Sequence, residues 1–185
     1  MFDEFFGSKI RYTVLIFFFN NSDTMFSVVE IAKAVRSTNI TLNKELKSLV
    51  TFGIIKQFKQ LKRVGYKLEK DFVLYNEIKN LLLRMQISIV EKFFDKMRAG
   101  QRIDFVALTG QFLDVQDTSV DVLIVGSINK EKAKQIVSKL ELVLDKVVRY
   151  AVLNKSAFQY RKTIADKFIC DILNNQNVVL GDKIY

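Results

Sequence analysis

The chain has 185 residues, 49% of them hydrophobic, with 16 Phe and no Trp, enough for one large domain or two small ones around a sizeable core. It carries 29 Lys and Arg against 20 Asp and Glu, a net charge of +9 that points to an anionic partner such as nucleic acid. There are no histidines and one cysteine. That excludes Ser-His-Asp and Cys-His catalysis and an intramolecular disulfide, argues against a typical zinc site, and fits a reducing cytoplasm.

The opening MFDEFF places two acids where a secretory leader needs positive charge. The run Thr13–Phe19, TVLIFFF, is too short to span a bilayer. No membrane association is expected. Ser8–Asn20 reads as a helix, with Ile10, Val14, Leu15 and Phe18 spaced for one buried face. Asn20–Thr24 is a turn of residues that bond their own backbone, and Met25–Phe26 can pair as a short strand. Ser27 followed by Glu30 is a capping box for a helix over Val28–Val35. Thr38 caps a second helix, Asn39–Phe52, with Leu42, Leu46, Leu49 and Val50 on one face and Gly53 as its stop. Ile54–Gln60 and Gly65–Lys70, joined by LKRV, read as a basic hairpin.

A long helical pattern runs from Leu74 to Arg98, through Ile78, Leu81, Leu82, Met85, Ile89, Val90, Phe93 and Phe94, and Gly100 ends it. It can serve a dimer interface or the core of a second domain. Arg102–Thr109 and the nearly continuous apolar Val120–Gly126 read as strands. Lys130–Leu144 is an amphipathic helix, Val147–Leu153 a third strand, Ser156–Leu173 one helix or two, and Asn177–Leu180 a last strand. Strands separated by helices indicate an α/β domain with a central sheet, and the apolar strands indicate burial on both faces. Cys170 lies in the apolar run FICDIL and reads as a core thiol.

Three helices followed by a hairpin make the winged helix-turn-helix plan. Between Lys44 and Lys70 there are eight basic residues and two acids, Glu45 and Glu69. On this plan the second helix of the motif enters the DNA major groove. The candidates there are Thr38, Asn39, Thr41, Asn43, Lys44 and Lys47. Asn can pair with adenine in bidentate fashion, Thr offers a methyl or hydroxyl, and the lysines suit phosphates. The hairpin adds Lys56, Lys59, Lys62, Arg63 and Lys67 for the backbone or minor groove.

Three segments carry a resemblance: GSKIR opening the first helix, VVEIAKAV, and ELKSLVTFGII closing the recognition helix. Together they resemble the winged-helix domain of ArsR/MarR-like regulators, and FVLYNEIKNLLLR resembles a linker into a long helix. Nearly the whole chain resembles a prokaryotic family in which such a domain precedes a nucleotidyltransferase-like domain of the DNA polymerase beta superfamily. That resemblance implies an α+β chain of two domains: a winged helix over residues 1–74, a connecting helix over 75–98, and a small nucleotidyltransferase-like domain with a central mixed sheet over 99–185.

It also implies where a nucleotide site would lie. The superfamily places Gly-Ser after one strand and Asp-x-Asp at the start of the next, where the carboxylates hold two divalent cations. Here Gly110 keeps the glycine, Gln111 stands for the serine, Ser119 for the first acid, and Asp121 keeps the second acid. The third acid's place falls at Val147 or Val148, with Arg149 adding a cation nearby; Asp114 and Asp117 lie in the intervening loop. The expectation is therefore a cytoplasmic, homodimeric regulator that binds double-stranded DNA. It is not an enzyme and has no resident cofactor or metal, beyond weak nucleotide or Mg²⁺ binding at Gly110, Gln111, Ser119 and Asp121. The alternatives are an active nucleotidyltransferase acting on a protein, RNA or small molecule, and an antitoxin-like interaction module.

Overall fold

The computed structural model describes residues 2–60, 63–98, 102–115, 118–144, 146–174 and 177–180. The chain divides into two compact units, Met1–Leu82 and Leu83–Tyr185.

The first unit contains α1 (Phe2–Phe5), α2 (Lys9–Asn20), β1 (Phe26–Ser27), α3 (Val28–Ala34), α4 (Asn39–Thr51), β2 (Ile55–Gln60) and β3 (Arg63–Leu68). Each main helix starts at a side-chain cap. Ser8 accepts from the Arg11 N–H, Ser27 and Glu30 form the reciprocal box, and Thr38 accepts from the Thr41 N–H. Such a cap is typically worth about 1 kcal/mol. Gly53 follows α4 at φ +79°, a conformation that costs any residue with a Cβ. The strands form an antiparallel sheet in the order β1-β3-β2. Val14, Leu15 and Phe18 of α2, Ile31 of α3, Leu42, Leu46 and Leu49 of α4, and Ile55, Tyr66 and Leu68 of the hairpin make one core. Three helices on a small sheet that ends in a hairpin is the winged helix-turn-helix arrangement.

The hairpin differs from the sequence expectation. β3 begins at Arg63, not Gly65, and pairs as far as Gln60↔Arg63. Arg63 and Val64 thus belong to the strand and not to the connection. A ladder continues through polar residues as long as backbone partners stand opposite, because side chains that face water need no core. The short α1 is an addition to the elements expected from the sequence.

The helix α5 (Tyr75–Arg98) runs from the first unit into the second. Then come β4 (Ile103–Leu108), a 3-10 turn at Gly110–Phe112, β5 (Val122–Gly126), α6 (Lys130–Leu144), β6 (Tyr150–Leu153), α7 (Lys155–Thr163), α8 (Lys167–Asn174) and β7 (Val178–Leu180). The sheet order is β6-β5-β4-β7, with β4 antiparallel to both neighbours and β5 parallel to β6. The sheet is mixed and buried on both faces. Val106, Leu108, Val122 and Ile124 face one core with Val90 and Phe94 of α5 and Ile136, Val137 and Leu140 of α6. Phe105, Ala107, Leu123 and Val125 face another with Phe158 of α7 and Ile169 and Ile172 of α8. That alternation explains why both strands read as continuous apolar runs.

One boundary moves, and one open choice is decided. The strand expected over Val147–Leu153 shortens to Tyr150–Leu153, because Arg149 turns toward Asp121. The last helical stretch breaks into α7 and α8 at Ile164–Asp166, where Ala165 has φ +52°. Gly100 lies outside the described residues. Among the described residues no helix is long and apolar enough to cross a membrane.

Candidate functional site

The buried stripe of α4 is Leu42, Glu45, Leu46 and Leu49. The 3.6-residue period then turns Asn39, Ile40, Asn43, Lys44 and Lys47 away from the core, and all five are exposed. Thr38 and Thr41 are exposed too, but their hydroxyls lie 3.1 Å apart and Thr38 caps the helix. Their first role is therefore to start α4. Ile40 was not among the sequence candidates, yet it is 86% exposed beside Asn39 and Asn43. Its exposure on a helix surrounded by polar residues follows from the helical period alone and was legible in the sequence.

On the hairpin, Lys56 and Lys59 are exposed and Lys67 is half-buried. Lys62 lies outside the described residues, and Arg63 is placed in β3 by its backbone only. Lys56 stands directly opposite Lys67 in the ladder and forms an ion pair with Glu69. Hydrogen bonding between Lys56 and Glu69 holds the lysine above and the carboxyl below its ordinary pKa. Lys56 is thus partly committed inside the fold, whereas Lys59 stands opposite Val64 and faces solvent. Phe58 sits opposite Gly65 and is 43% exposed, and Met25 packs on Gly65 where a side chain would stand. The outer hairpin therefore mixes cations with apolar surface.

In the second unit the sheet brings the end of β4 against the start of β5. The Thr109 N–H donates to the Asp121 carbonyl at 2.9 Å, and the Asp121 N–H donates to the Arg149 carbonyl at 2.8 Å. The Asp121 carboxylate is almost wholly buried. Its Oδ1 accepts from the Gln111 N–H at 3.1 Å and from Arg149 Nη2 at 2.8 Å. Its Oδ2 accepts from Gln111 Nε2 at 3.0 Å, the Arg149 N–H at 2.9 Å and Arg149 Nε at 3.1 Å. Arg149 is held further by the Thr118 carbonyl at 2.6 Å and the Thr118 hydroxyl at 3.2 Å. Gln111 Nε2 also donates to the Val147 carbonyl at 2.9 Å. Gly110 has φ +55°, and a Cβ there would overlap the carboxylate and the Thr118 hydroxyl. Burial alone would raise the Asp121 carboxyl; the bonds from Arg149 and Gln111 outweigh it and hold the group below the usual carboxylate range.

These residues do not fit a divalent cation. A carboxylate has about four lone-pair positions, and five donors already point at this one. The guanidinium supplies the positive charge that a metal would supply. Among the described residues no group of three or more acids and cysteines could hold a metal. Ser119 is exposed, Asp114 is exposed in the loop at φ +58°, and Asp117 lies outside the described residues. Val147 is exposed and Val148 is buried, its N–H donating to Glu141 at 2.9 Å. Gly110, Gln111 and Asp121 do come together as expected, but they bind each other. The sequence reading placed Arg149 near this turn and missed that its side chain closes it.

Lys146 is a second cation close by. Its Nζ donates to Gln86 Oε1 at 2.7 Å and lies 5.0 Å from the centre of the Phe112 ring. Burial lowers its pKa to about 8, against the opposing charge of Asp121.

No protein-family model matches the chain, and no curated protein matches it. Similar solved structures include the transcription regulator MepR of the Staphylococcus aureus multidrug efflux pump MepA. It is 14% identical, over 78% of this chain and 82% of that one, with a TM-score of 0.40. The adhesin competence repressor AdcR of Streptococcus pyogenes is 14% identical over 60% and 74%, with a TM-score of 0.41. The zinc-responsive MarR family member ZitR of Lactococcus lactis is 13% identical over 75% and 74%, with a TM-score of 0.39. At these scores the likeness carries no argument about this chain.

Proposed function

We propose that this chain is a DNA-binding transcriptional regulator that reads double-stranded DNA with its first unit. The observation that carries the reading is the outer face of α4, where Asn39, Ile40, Asn43, Lys44 and Lys47 are exposed together while the opposite stripe is buried. Asn39 and Asn43 offer amide pairs to base edges and Ile40 offers an apolar contact to a thymine methyl. Lys44 and Lys47, with Lys59, Arg63 and Lys67 of the hairpin, neutralise phosphates. The net charge of +9 favours the same partner. Action as a homodimer belongs to this reading, because one winged helix buries limited DNA surface.

In the same reading the second unit is a nucleotidyltransferase-type fold kept without transfer chemistry, as a platform for dimerisation or ligand sensing. The support is the mixed sheet with a glycine turn and an acid at its centre, and an arginine spanning that acid. A gel shift on genomic fragments at low salt tests the first part: retarded fragments support it, and no retardation at any protein concentration ends it. Incubation with labelled nucleoside triphosphates and Mg²⁺ or Mn²⁺ tests the second. Incorporation that disappears in Asp121→Ala would replace this reading with an enzyme.

A further inference from the structure

Glu45 is the one acid in the buried stripe of α4, on the side away from the proposed DNA face. Its side chain is 11% exposed. Oε1 accepts from the Ser8 hydroxyl at 2.9 Å, and Oε2 accepts from Arg11 Nε at 2.9 Å. Ser8 is at the same time the cap of α2, accepting from the Arg11 N–H at 3.0 Å. Arg11 is steadied further by the Phe6 carbonyl at 3.4 Å. The segment GSKIR thus supplies both donors, one residue for each carboxylate oxygen.

We propose that Ser8, Arg11 and Glu45 form a positioning clamp that sets the rotation of α4 against α2, and so the register at which Asn39 and Asn43 meet base edges. The proposal rests on the DNA-binding reading above. The physical reason is directionality. Leu42, Leu46 and Leu49 hold α4 by apolar contact, which tolerates small rotations. Two hydrogen bonds to separate oxygens of one carboxylate do not tolerate them. Side chains on a helix lie about 5–6 Å from its axis, so a rotation of about 20° moves their tips by roughly 2 Å. A bidentate amide–base pair accepts donor–acceptor distances only between about 2.7 and 3.2 Å, so it is lost by such a shift, whereas flexible lysines still reach phosphates. A polar group in a packed stripe that specifies one arrangement has precedent in other helical systems.

The experiment uses the full chain and two duplex probes of equal length. One is a sequence enriched by the wild type from a randomised pool, and the other is a scrambled control. In Glu45→Gln and in Arg11→Lys, the ratio of affinities for the two probes should fall by about tenfold, the loss of one good base contact. Affinity for the scrambled duplex, its salt dependence and the unfolding temperature should stay close to wild type. The double variant should lose no more than either single one, because the pair acts as a unit. If one variant does not fold, the other decides. An unchanged ratio overturns the clamp and leaves the DNA reading standing. So does a parallel loss on both probes together with a lowered unfolding temperature, which marks a merely structural pair. A wild type that enriches no sequence overturns the clamp, and a wild type that binds neither probe overturns the DNA reading with it.

Discussion

Each unit buries one carboxylate against an arginine, with opposite consequences. In the first unit, Glu45 takes its bonds from Ser8 and Arg11 on the inner side of α4, and the outer side remains free with its asparagines and lysines. In the second, Asp121 takes its bonds from Gln111 in the turn after β4 and from Arg149 just ahead of β6, whose guanidinium lies across that turn. The same pair of charges presents a surface in one place and closes one in the other. What decides is where the polar partners come from. Ser8 and Arg11 reach Glu45 from the start of a neighbouring helix and take nothing from the exposed face of α4, whereas the Gln111 amide and the Arg149 guanidinium lie over the turn and occupy it.

The largest expected effects fall in the second unit, first at Asp121. Asp121→Ala removes a buried acceptor and leaves the backbone N–H groups of Gln111 and Arg149 without it, for an expected loss of about 2 kcal/mol in urea unfolding, while the half-exposed Arg149 side chain turns to water and Thr118. The same variant should bind DNA with unchanged salt dependence if the turn is only structural. Next comes Lys146. Its folded pKa of about 8 lies below its ordinary 10.5, so the folded state disfavours the charged form. The resulting penalty is complete below about pH 8, and it fades as pH rises toward the ordinary value. Stability should rise by about 2 kcal/mol between about pH 8 and 10, a rise that Lys146→Met abolishes when the two denaturation series are compared. Asp121 acts at the other end of the scale. Its folded pKa is lowered, so its contribution is present above the ordinary carboxylate pKa and is lost as pH falls through the lower folded value.

On the first unit the effects are smaller and fall on binding. Lys44→Ala or Lys47→Ala should weaken binding to all duplexes and reduce the magnitude of the salt slope by about one. Asn39→Ala and Asn43→Ala should relax selectivity at single positions instead. The smallest expected difference lies on the hairpin. Lys56→Ala should cost less DNA affinity than Lys59→Ala, because Lys56 already pairs with Glu69. Equal losses in a salt titration would show that the ion pair opens on DNA.

Helix starts were legible because capping is local. Ser27 with Glu30, and Thr38 ahead of α4, act within one turn of backbone, so three or four residues suffice to reveal them. The buried strands β4 and β5 were legible as apolar runs, since a sheet covered on both faces has no polar side to alternate with. The start of β3 was not. Val64 has the β-branched side chain of a strand, but Arg63 suits a loop equally, and only the pairing with Gln60 assigns it to the ladder. The candidate residues of α4 were identified by type, but the period that exposes Ile40 with them went unused. Glu45 was passed over because a charged residue in an amphipathic helix ordinarily reads as solvated.

What was legible in the sequence alone is the order of elements, the basic stretch from Lys44 to Lys67, and the glycine turn followed by an acid, Gly110 and Asp121. These rest on composition, period and local bonding. Tertiary structure alone decided that Ser8 and Arg11 meet Glu45 across more than thirty residues, and that Arg149 spans 28 residues to fill the turn at Asp121. A buried carboxylate must find donors wherever folding brings them, and the linear chain carries no record of which distant arginine arrives.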